Sequence, residues 1–128
     1  MSSADLQAWL DRYADAFVRE DPDAAARLFT ATATYQWGPF GGLLRGPDEI
    51  RAKWASAMDQ SGHATCDFEI LAVTEELGFA RWLATYTYPA KRQRVRYDGV
   101  FVVRLTPDQL CSESREWSNT HEEEMVTS

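Results

Sequence analysis

Glu116 is a carboxylate with the chemistry to accept a proton from a substrate. It lies in the segment Arg115-Glu116-Trp117, near the end of a stretch with the period-two pattern of a β-strand. If that strand turns Glu116 towards the interior, burial raises the pKa of the carboxyl towards that of a useful general base. The alternative is an ion pair with a neighbouring arginine such as Arg115 or Arg104. The direction of this side chain decides between the two interpretations.

Other catalytic and metal-binding patterns are missing from the sequence. His63 and His121 have no partner at a metal-ligand spacing, and Cys66 and Cys111 are not adjacent. The segment 38–42, Gly-Pro-Phe-Gly-Gly, lacks the Lys-Ser/Thr ending of a phosphate-binding loop and does not directly start a helix. No G-x-S-x-G nucleophile motif occurs. We therefore expect no metal site, no cofactor and no serine nucleophile.

A cluster of basic residues stands out in this acidic chain. Its members crowd one predicted hairpin end: Lys91, Arg92, Arg94 and Arg96. We interpret this cluster as a solvated turn, which is the usual role of such a charge run. The alternative is that it lies at the rim of a pocket, where it would favour substrates that carry a carboxylate or phosphate.

Composition limits the classes of partner. The 128 residues are 45% hydrophobic and 26% charged, which is typical of one folded domain, expected over residues 1–128. A formal net charge of −7 disfavours nucleic acid as a partner. The longest apolar stretches, such as Gly99–Val103, are far shorter than the ~20 residues of a membrane span, and the N-terminus lacks the pattern of a signal peptide. We expect a cytoplasmic protein with reduced cysteines and no membrane partner.

Three helices are predicted in the first half of the chain. The first covers about residues 4–20, because five apolar side chains share one helical stripe: Leu6, Trp9, Leu10, Tyr13 and Phe17. Asp21-Pro22 ends that helix and starts a second, which runs to about Phe29. Gly46-Pro47 opens a third helix, which stops at Ser61-Gly62.

Strands make up the rest of the predicted fold. A short strand, Thr32–Trp37, follows the second helix. After residue 64 the pattern changes to period two, and turn signals divide it into four long antiparallel strands: Ala64–Thr74, Phe79–Pro89, Val95–Leu105 and Leu110–Asn119. Residues 120–128 are expected to be a frayed acidic tail. The fold class is therefore α+β.

This order of elements resembles the nuclear transport factor 2-like superfamily, and within it the SnoaL-like and ketosteroid-isomerase-like proteins, over about residues 5–119. The residues that carry the resemblance are Trp9 to Phe17, the segment 21–29, Ala33-Thr34-Tyr35, Arg45 to Ile50, Tyr97-Asp98-Gly99 and Arg115-Glu116-Trp117. The resemblance implies a curved antiparallel sheet wrapped around three helices, a cone with an internal pocket, and a homodimer formed through the outer sheet face. The superfamily hosts isomerases, cyclases, dehydratases, epoxide hydrolases and binding modules, so the fold does not identify the activity.

The implied pocket would be lined mainly by aromatic side chains. The candidates for ligand contact are Tyr35, Trp37, Phe40, Trp54, Met58, Trp82 and Tyr86. For any one of them the alternative is an ordinary place in the core. As a group they predict a small apolar or aromatic ligand.

Comparison with the ketosteroid isomerases gives a divided result. In that reaction a carboxylate moves a proton while a tyrosine and a neutral aspartic acid bind the enolate oxygen. The resemblance puts the tyrosine at Tyr13 and the neutral acid at Asp98, but the base falls near Trp37, which cannot take a proton. Glu116 is the candidate replacement. The alternative for Asp98 is a residue at the entry of a strand that caps a turn.

The direction of Asp98 also fixes the faces of its strand. If Asp98 points inwards, so do Val100 and Val102, and the outer face carries Tyr97, Phe101 and Val103. A bulge at Gly99 would shift this assignment.

Two functions of different class follow. The interpretation we favour is a small-molecule-binding protein whose aromatic pocket holds a mainly apolar ligand. The alternative is a cofactor-independent acid–base enzyme of isomerase, cyclase or epoxide hydrolase type, with Tyr13, Asp98 and Glu116 as its catalytic groups. The missing base at Trp37 favours the first, and the retained Tyr13 and Asp98 favour the second.

Overall fold

Three α-helices and a six-stranded sheet form the fold in a computed structural model, which describes residues 1–59 and 61–124. The helices are α1 (Ser3–Val18), α2 (Pro22–Ala26) and α3 (Gly46–Met58). The strands are β1 (Phe29–Trp37), β2 (Leu43–Arg45), β3 (Gly62–Val73), β4 (Gly78–Tyr88), β5 (Gln93–Leu105) and β6 (Cys111–Glu124), with a 3-10 turn, Pro89–Lys91, between β4 and β5.

Local capping explains where the first two helices begin. The Ser2 side chain accepts a hydrogen bond from the Asp5 backbone N–H, and the Asp5 carboxylate accepts one from the Ser2 backbone N–H, both at 3.1 Å. At α2, Asp21 accepts from the Ala24 backbone N–H at 3.0 Å, and Pro22 occupies the first helical position. The chain therefore turns sharply between α1 and α2, as the Asp-Pro pair predicts.

The strand order across the curved, unclosed sheet is β2-β1-β6-β5-β4-β3. Neighbouring strands are antiparallel except β1 and β6, which run parallel. The sheet is therefore mixed rather than wholly antiparallel, and β2 was not predicted. Helix α1 packs against β3 and α3 against β1, so the helices cover the inner face. The predicted α+β cone is confirmed, with these two differences.

Strand β6 is longer than predicted. Residues 120–124, expected in a frayed tail, continue the pairing with β5 as far as Gln93↔Glu124. The Gln93 side chain also donates a hydrogen bond to the Glu122 carboxylate at 3.0 Å. Acidic side chains are compatible with this strand because the segment is exposed on both faces. Residues 125–128, the rest of the expected tail, lie outside the described residues.

The side chains of β5 point in the opposite directions to those expected for an inward Asp98: Asp98 lies on the outer face, and Phe101 and Val103 lie on the inner face. Phe101 and Val103 are fully buried on the inner face, because β5 pairs with β4 in the register Trp82↔Gly99 and Ala80↔Phe101. Pairing is continuous through Gly99, so no bulge shifts it. A Cβ atom at Gly99 would lie 1.9 Å from the Trp117 carbonyl oxygen. Because β6 approaches the backbone so closely here, only glycine fits at this position.

Both cysteines are buried in the core. Cys66 lies on β3 and Cys111 begins β6, and neither forms a disulfide. Burial raises the pKa of each thiol to about 12, so both stay protonated at neutral pH. They act as small apolar residues that fill the core.

No helix in the part of the chain that the structure describes is long and apolar enough to cross a membrane.

Candidate functional site

A pocket of about 470 Å³ opens between the helices and the inner face of the sheet. Its deep end is formed by Tyr13 of α1, Tyr35 of β1 and Glu116 of β6, which are all buried. Its outer end is formed by more exposed residues, including Trp37 and Ser118. The pocket therefore places polar groups at the bottom of an otherwise largely aromatic cavity. Aromatic rings form much of its wall: Phe17, Trp54, Trp82, Tyr86, Tyr88 and Tyr97.

The wall rings hold one another in place. Phe17 stacks on Tyr86 with centroids 4.7 Å apart, and Trp82 stacks on Tyr97 at 5.3 Å. Trp82 also donates its indole N–H to the Cys66 thiol at 3.3 Å. Stacked and edge-to-face pairs of this kind favour defined orientations. The wall is therefore a prearranged apolar surface.

Glu116 is the carboxyl group of this pocket. Its side chain is on the inner face of β6, between Trp37 of β1 and Phe101 of β5 in the sheet register, and the residue is 7% exposed. Burial raises the pKa of this carboxyl from its ordinary value of 4.5 to about 8. The ion-pair alternative is not what the structure shows, since Arg115 pairs with Glu113 and Arg104 pairs with Glu76 and Glu113.

A chain of hydroxyl groups leads to Glu116. The Tyr13 and Tyr35 hydroxyl oxygens are 3.0 Å apart, and the Tyr35 hydroxyl lowers the pKa of Glu116 as a hydrogen-bond donor, which partly offsets the effect of burial. Either hydroxyl can donate in the hydrogen bond between the two tyrosines. Burial raises both tyrosine pKa values well above 10.0, so both remain neutral donors. The Tyr35 hydroxyl favours the carboxylate form of Glu116, but burial has the larger effect and favours the protonated form.

Asp98 is not part of this group. It lies on the outer face of β5, where Arg81 donates two hydrogen bonds to its carboxylate at 3.1 and 2.7 Å. Arg81 lowers the pKa of Asp98, so this carboxyl is ionised at neutral pH. The expectation of a neutral Asp98 inside the pocket is therefore wrong, because the pairing of β5 with β4 turns it away from Tyr13.

Five of the seven side chains predicted to contact a ligand line the pocket in the structure, and two do not. Tyr35, Trp37, Trp54, Trp82 and Tyr86 line the pocket.

Phe40 and Met58 do not line it. Phe40 is fully exposed on the loop after β1, which is held by hydrogen bonds from the Gln36 side chain to the Gly38 and Gly41 carbonyls. Met58 packs in the core at the end of α3. The expectation that these two side chains belong to the pocket wall is not met.

Several residues that line the pocket were not predicted from the sequence, and Lys53 and Tyr97 are the two with the most consequence for its chemistry. Lys53 extends its ammonium over the Trp37 ring, 3.7 Å from the ring centroid. No motif marks this lysine, which precedes Trp54 on α3. Tyr97 was assigned to the outer face, and only the correct register of β5 places it in the pocket.

The predicted basic cluster lies outside the pocket wall. Arg94 approaches Glu123 at 3.9 Å, and the Lys91 ammonium lies 5.6 Å from the Tyr88 ring centroid. None of its four members lines the pocket described above. The structure therefore favours the solvated turn over the pocket rim for this cluster.

Histidine, cysteine and acidic side chains do not gather into a candidate metal site in residues 1–59 and 61–124. His63 and His121 lie on β3 and β6, where both are exposed.

Three solved structures with the same fold illustrate its range, and two of them are described as enzymes. RV0760c from Mycobacterium tuberculosis has a TM-score of 0.81 at 12% identity, with 96% of this chain and 99% of that chain covered. The epoxide hydrolase/cyclase-like enzyme SalBIII, which acts in pyran ring formation in the polyether salinomycin, has a TM-score of 0.76 at 20% identity, with 88% and 89% covered. An LEH-like epoxide hydrolase from M. tuberculosis has a TM-score of 0.74 at 12% identity, with 91% and 84% covered. The TM-scores establish a shared fold, and at 12–20% identity the likeness shows the fold alone.

Sequence comparison assigns the family. No curated protein is similar enough in sequence to count as a relative. The sequence pattern of the SnoaL-like domain, however, matches residues 10–113, from the middle of α1 into β6. This match agrees with the fold of the solved structures and confirms the predicted superfamily. The chain belongs to the SnoaL-like domain family.

Proposed function

We propose that this protein binds a small, mainly apolar molecule in the aromatic pocket. The observation that carries the proposal is a cavity of about 470 Å³ whose walls are aromatic and whose deep end is polar. Pockets that bury small organic ligands have volumes of roughly 300–1,000 Å³ and combine apolar walls with a few polar groups. The ligand that suits this arrangement has an apolar body that lies against the rings and at least one polar group.

Tryptophan replacements test the binding site. We expect Trp37→Ala to weaken binding of any ligand found among steroids, aromatic polyketides and terpenoid epoxides by about tenfold, which is ~1.4 kcal/mol. Trp37 is 39% exposed at the outer end of the pocket, so its loss removes ligand contact with little damage to the core. Affinity is measured by quenching of tryptophan fluorescence and by thermal shift.

Trp117 provides a matched control for this test. It is 43% exposed, lies on β6 and has the Arg115 guanidinium near its ring, but it faces the outer side of the sheet. Trp117→Ala is expected to leave affinity unchanged when both variants are compared in the same association state, because this ring does not line the pocket. Equal losses in the two variants would contradict binding in the pocket.

A second candidate function is acid–base catalysis, which the buried carboxyl of Glu116 favours. In an epoxide-opening reaction, the Glu116 carboxylate would take a proton from a water molecule or a substrate hydroxyl as that oxygen attacks an epoxide carbon. The carbon–oxygen bond of the epoxide then breaks, and its oxygen gains negative charge. Tyr97 lines the same pocket and its pKa is raised to about 12, so its hydroxyl is a neutral donor for that oxygen.

Two solved structures of this fold support that candidate, since they are described as an epoxide hydrolase/cyclase-like enzyme and an LEH-like epoxide hydrolase. Loss of turnover of a terpenoid epoxide in Glu116→Gln, with ligand affinity retained, is the test that separates catalysis from binding alone.

We also propose that two copies associate through the outer sheet face. Leu83 and Trp117 are exposed there, at 39% and 43%. Equilibrium sedimentation is expected to give twice the chain mass of 14.5 kDa, and Leu83→Glu to give the single-chain mass. A wild-type protein that stays monomeric at micromolar concentration would contradict the dimer.

A further inference from the structure

Lys53 is the cationic side chain of the pocket. It lies on α3 beside Trp54 and is half-buried, and it lines the cavity together with Glu116, the single acidic residue of the wall among residues 1–59 and 61–124. Its ammonium lies 3.7 Å from the centroid of the Trp37 ring, at the outer end of the cavity. A cation–π contact of this kind holds the charge in position without neutralising it.

The ion pairs around Lys53 leave its charge uncompensated. Arg51, two residues earlier on α3, pairs with Asp23 at 2.7 Å and with Asp48 at 2.8 Å. Among residues 1–59 and 61–124, by contrast, no ion pair involves Lys53. The chain has 20 acidic residues and 13 lysines and arginines, so acidic partners are not scarce. An ammonium that lines a cavity without a carboxylate partner is a group that can bind an anion from solution.

We propose that Lys53 binds an anionic group of the ligand, a carboxylate or a phosphate, at the outer end of the pocket, while the apolar body of the ligand lies against the aromatic wall. This inference rests on the proposed binding function and names the class of its ligand. The sequence suggested the basic hairpin cluster as an alternative anion-binding group, and we assign that role to Lys53 instead. An amphipathic acid would thus place its charge at Lys53, at the outer end of the cavity, and its apolar body between the rings.

Glu116 does not oppose such a ligand at neutral pH. Burial raises the pKa of its carboxyl to about 8, so the group is mostly protonated and uncharged near pH 7. The Lys53 ammonium then provides the charge of the pocket. Above pH 8 an ionised Glu116 would repel the anion, so affinity for anionic ligands is expected to fall in that range.

Calorimetry with a set of naphthalene probes tests the proposal. The probes are 2-naphthoate, 2-naphthyl phosphate and the neutral 2-naphthamide, which share one apolar body. We expect Lys53→Met to lose at least tenfold in affinity for one or both anions and to bind the amide as the wild type does. Lys53→Arg should keep affinity for the anions, because it keeps the charge. The anion that binds more tightly to the wild type identifies the preferred group.

Lys91 is a matched control, because the chain has only two lysines and both lie over an aromatic ring. Lys91→Met is expected to leave the affinity for all three probes unchanged. The two lysines also allow a spectroscopic readout. After reductive methylation with 13C-formaldehyde, which preserves the charge, the signal of Lys53 should move when 2-naphthoate is added, and that of Lys91 should not.

The outcomes separate this inference from the proposed function. If the amide binds and Lys53→Met affects anions and amide equally, or neither, the anion-binding role is wrong and binding in the pocket stands. If the affinity for anions depends on Lys91 instead, the basic hairpin is the anion site and the proposal for Lys53 is wrong. If none of the three probes binds to the wild type, both the inference and the proposed binding of small aromatic molecules are contradicted.

Discussion

Replacing Glu116 by glutamine is expected to remove most of the loss of thermal stability that the wild-type protein shows as pH rises from about 4.5 to about 8. Glutamine has nearly the same shape as glutamic acid and carries no titrating proton. The measurement is the unfolding midpoint of both proteins across this pH range. We expect the unfolding midpoint of the wild type to fall as pH rises from about 4.5 to about 8. Below pH 4.5 we expect the difference between the midpoints of the wild type and Glu116→Gln to be nearly constant.

The direction of the effect follows from proton binding. In the unfolded chain Glu116 releases its proton near the ordinary value of 4.5, whereas in the folded protein burial raises the pKa to about 8. Between these values the folded state binds the extra proton, so the free energy of unfolding falls as pH rises. The stabilisation is fully present below the unfolded pKa and is lost once pH passes the folded pKa.

The size of the effect is large for one side chain. Each unit of pKa difference corresponds to ~1.4 kcal/mol, so the full change is on the order of several kcal/mol. Small domains have total stabilities of about 5–15 kcal/mol. The ionisation of Glu116 is therefore expected to cost a substantial part of the stability of the fold.

Glu113→Gln is the control for this measurement. Glu113 is on the same strand, but its carboxylate reaches the solvent and approaches Arg104 and Arg115. This variant should keep the slope of the wild type between pH 4.5 and pH 8. Parallel curves for the wild type and Glu116→Gln would show that the carboxyl of Glu116 is not desolvated in solution and would contradict the geometry of the pocket.

The helical part of the fold was predictable because its determinants are local. The apolar stripe from Leu6 to Phe17 and the capping signal at Asp21-Pro22 involve residues within a few positions of each other. In the structure the stripe is buried and the caps are formed. Tyr13 is on this stripe, so its position in the pocket followed from the helix alone.

The faces of β5 could not be predicted in the same way. Four consecutive residues, 100–103, are all apolar (Val-Phe-Val-Val), so alternation of polar and apolar side chains does not mark an inner face. The pairing of Leu83 with Asp98 and of Ala84 with Tyr97 settles the matter, and that pairing depends on residues distant in sequence. A shift of the pairing by one residue would turn Asp98 to the inner face of the sheet and Tyr97 to the outer face.

The place of the carboxyl in the pocket depended on an unpredicted strand pairing. The comparison with ketosteroid isomerases leaves Trp37 where a base is expected. In the structure β1 runs parallel to β6, and Trp37 is paired with Glu116. The pocket therefore keeps a carboxyl group beside that position, on the neighbouring strand. The sequence alone identified both residues but not their adjacency, because a parallel pair joins distant segments of the chain.

Glu116→Gln is also expected to lower kcat for opening of a terpenoid epoxide by about 10² to 10⁴, the usual contribution of a general base. The wild-type rate should rise with pH until it levels near the pKa of Glu116, about 8, because only the carboxylate form accepts a proton. The variant should lose this rise. Rates are measured at saturating epoxide between pH 5 and pH 10, with affinity determined separately by fluorescence quenching.

Two comparisons make this expectation specific to proton transfer at Glu116. Glu113→Gln removes a carboxylate from the same strand without touching the pocket, so its rate should equal that of the wild type. Tyr97→Phe removes the donor proposed for the epoxide oxygen, so its rate should fall while the pH at which the rate levels stays near that of the wild type. A Glu116→Gln protein that binds the epoxide and turns it over at the wild-type rate would leave binding as the function of the pocket, with the raised pKa of Glu116 a consequence of burial alone.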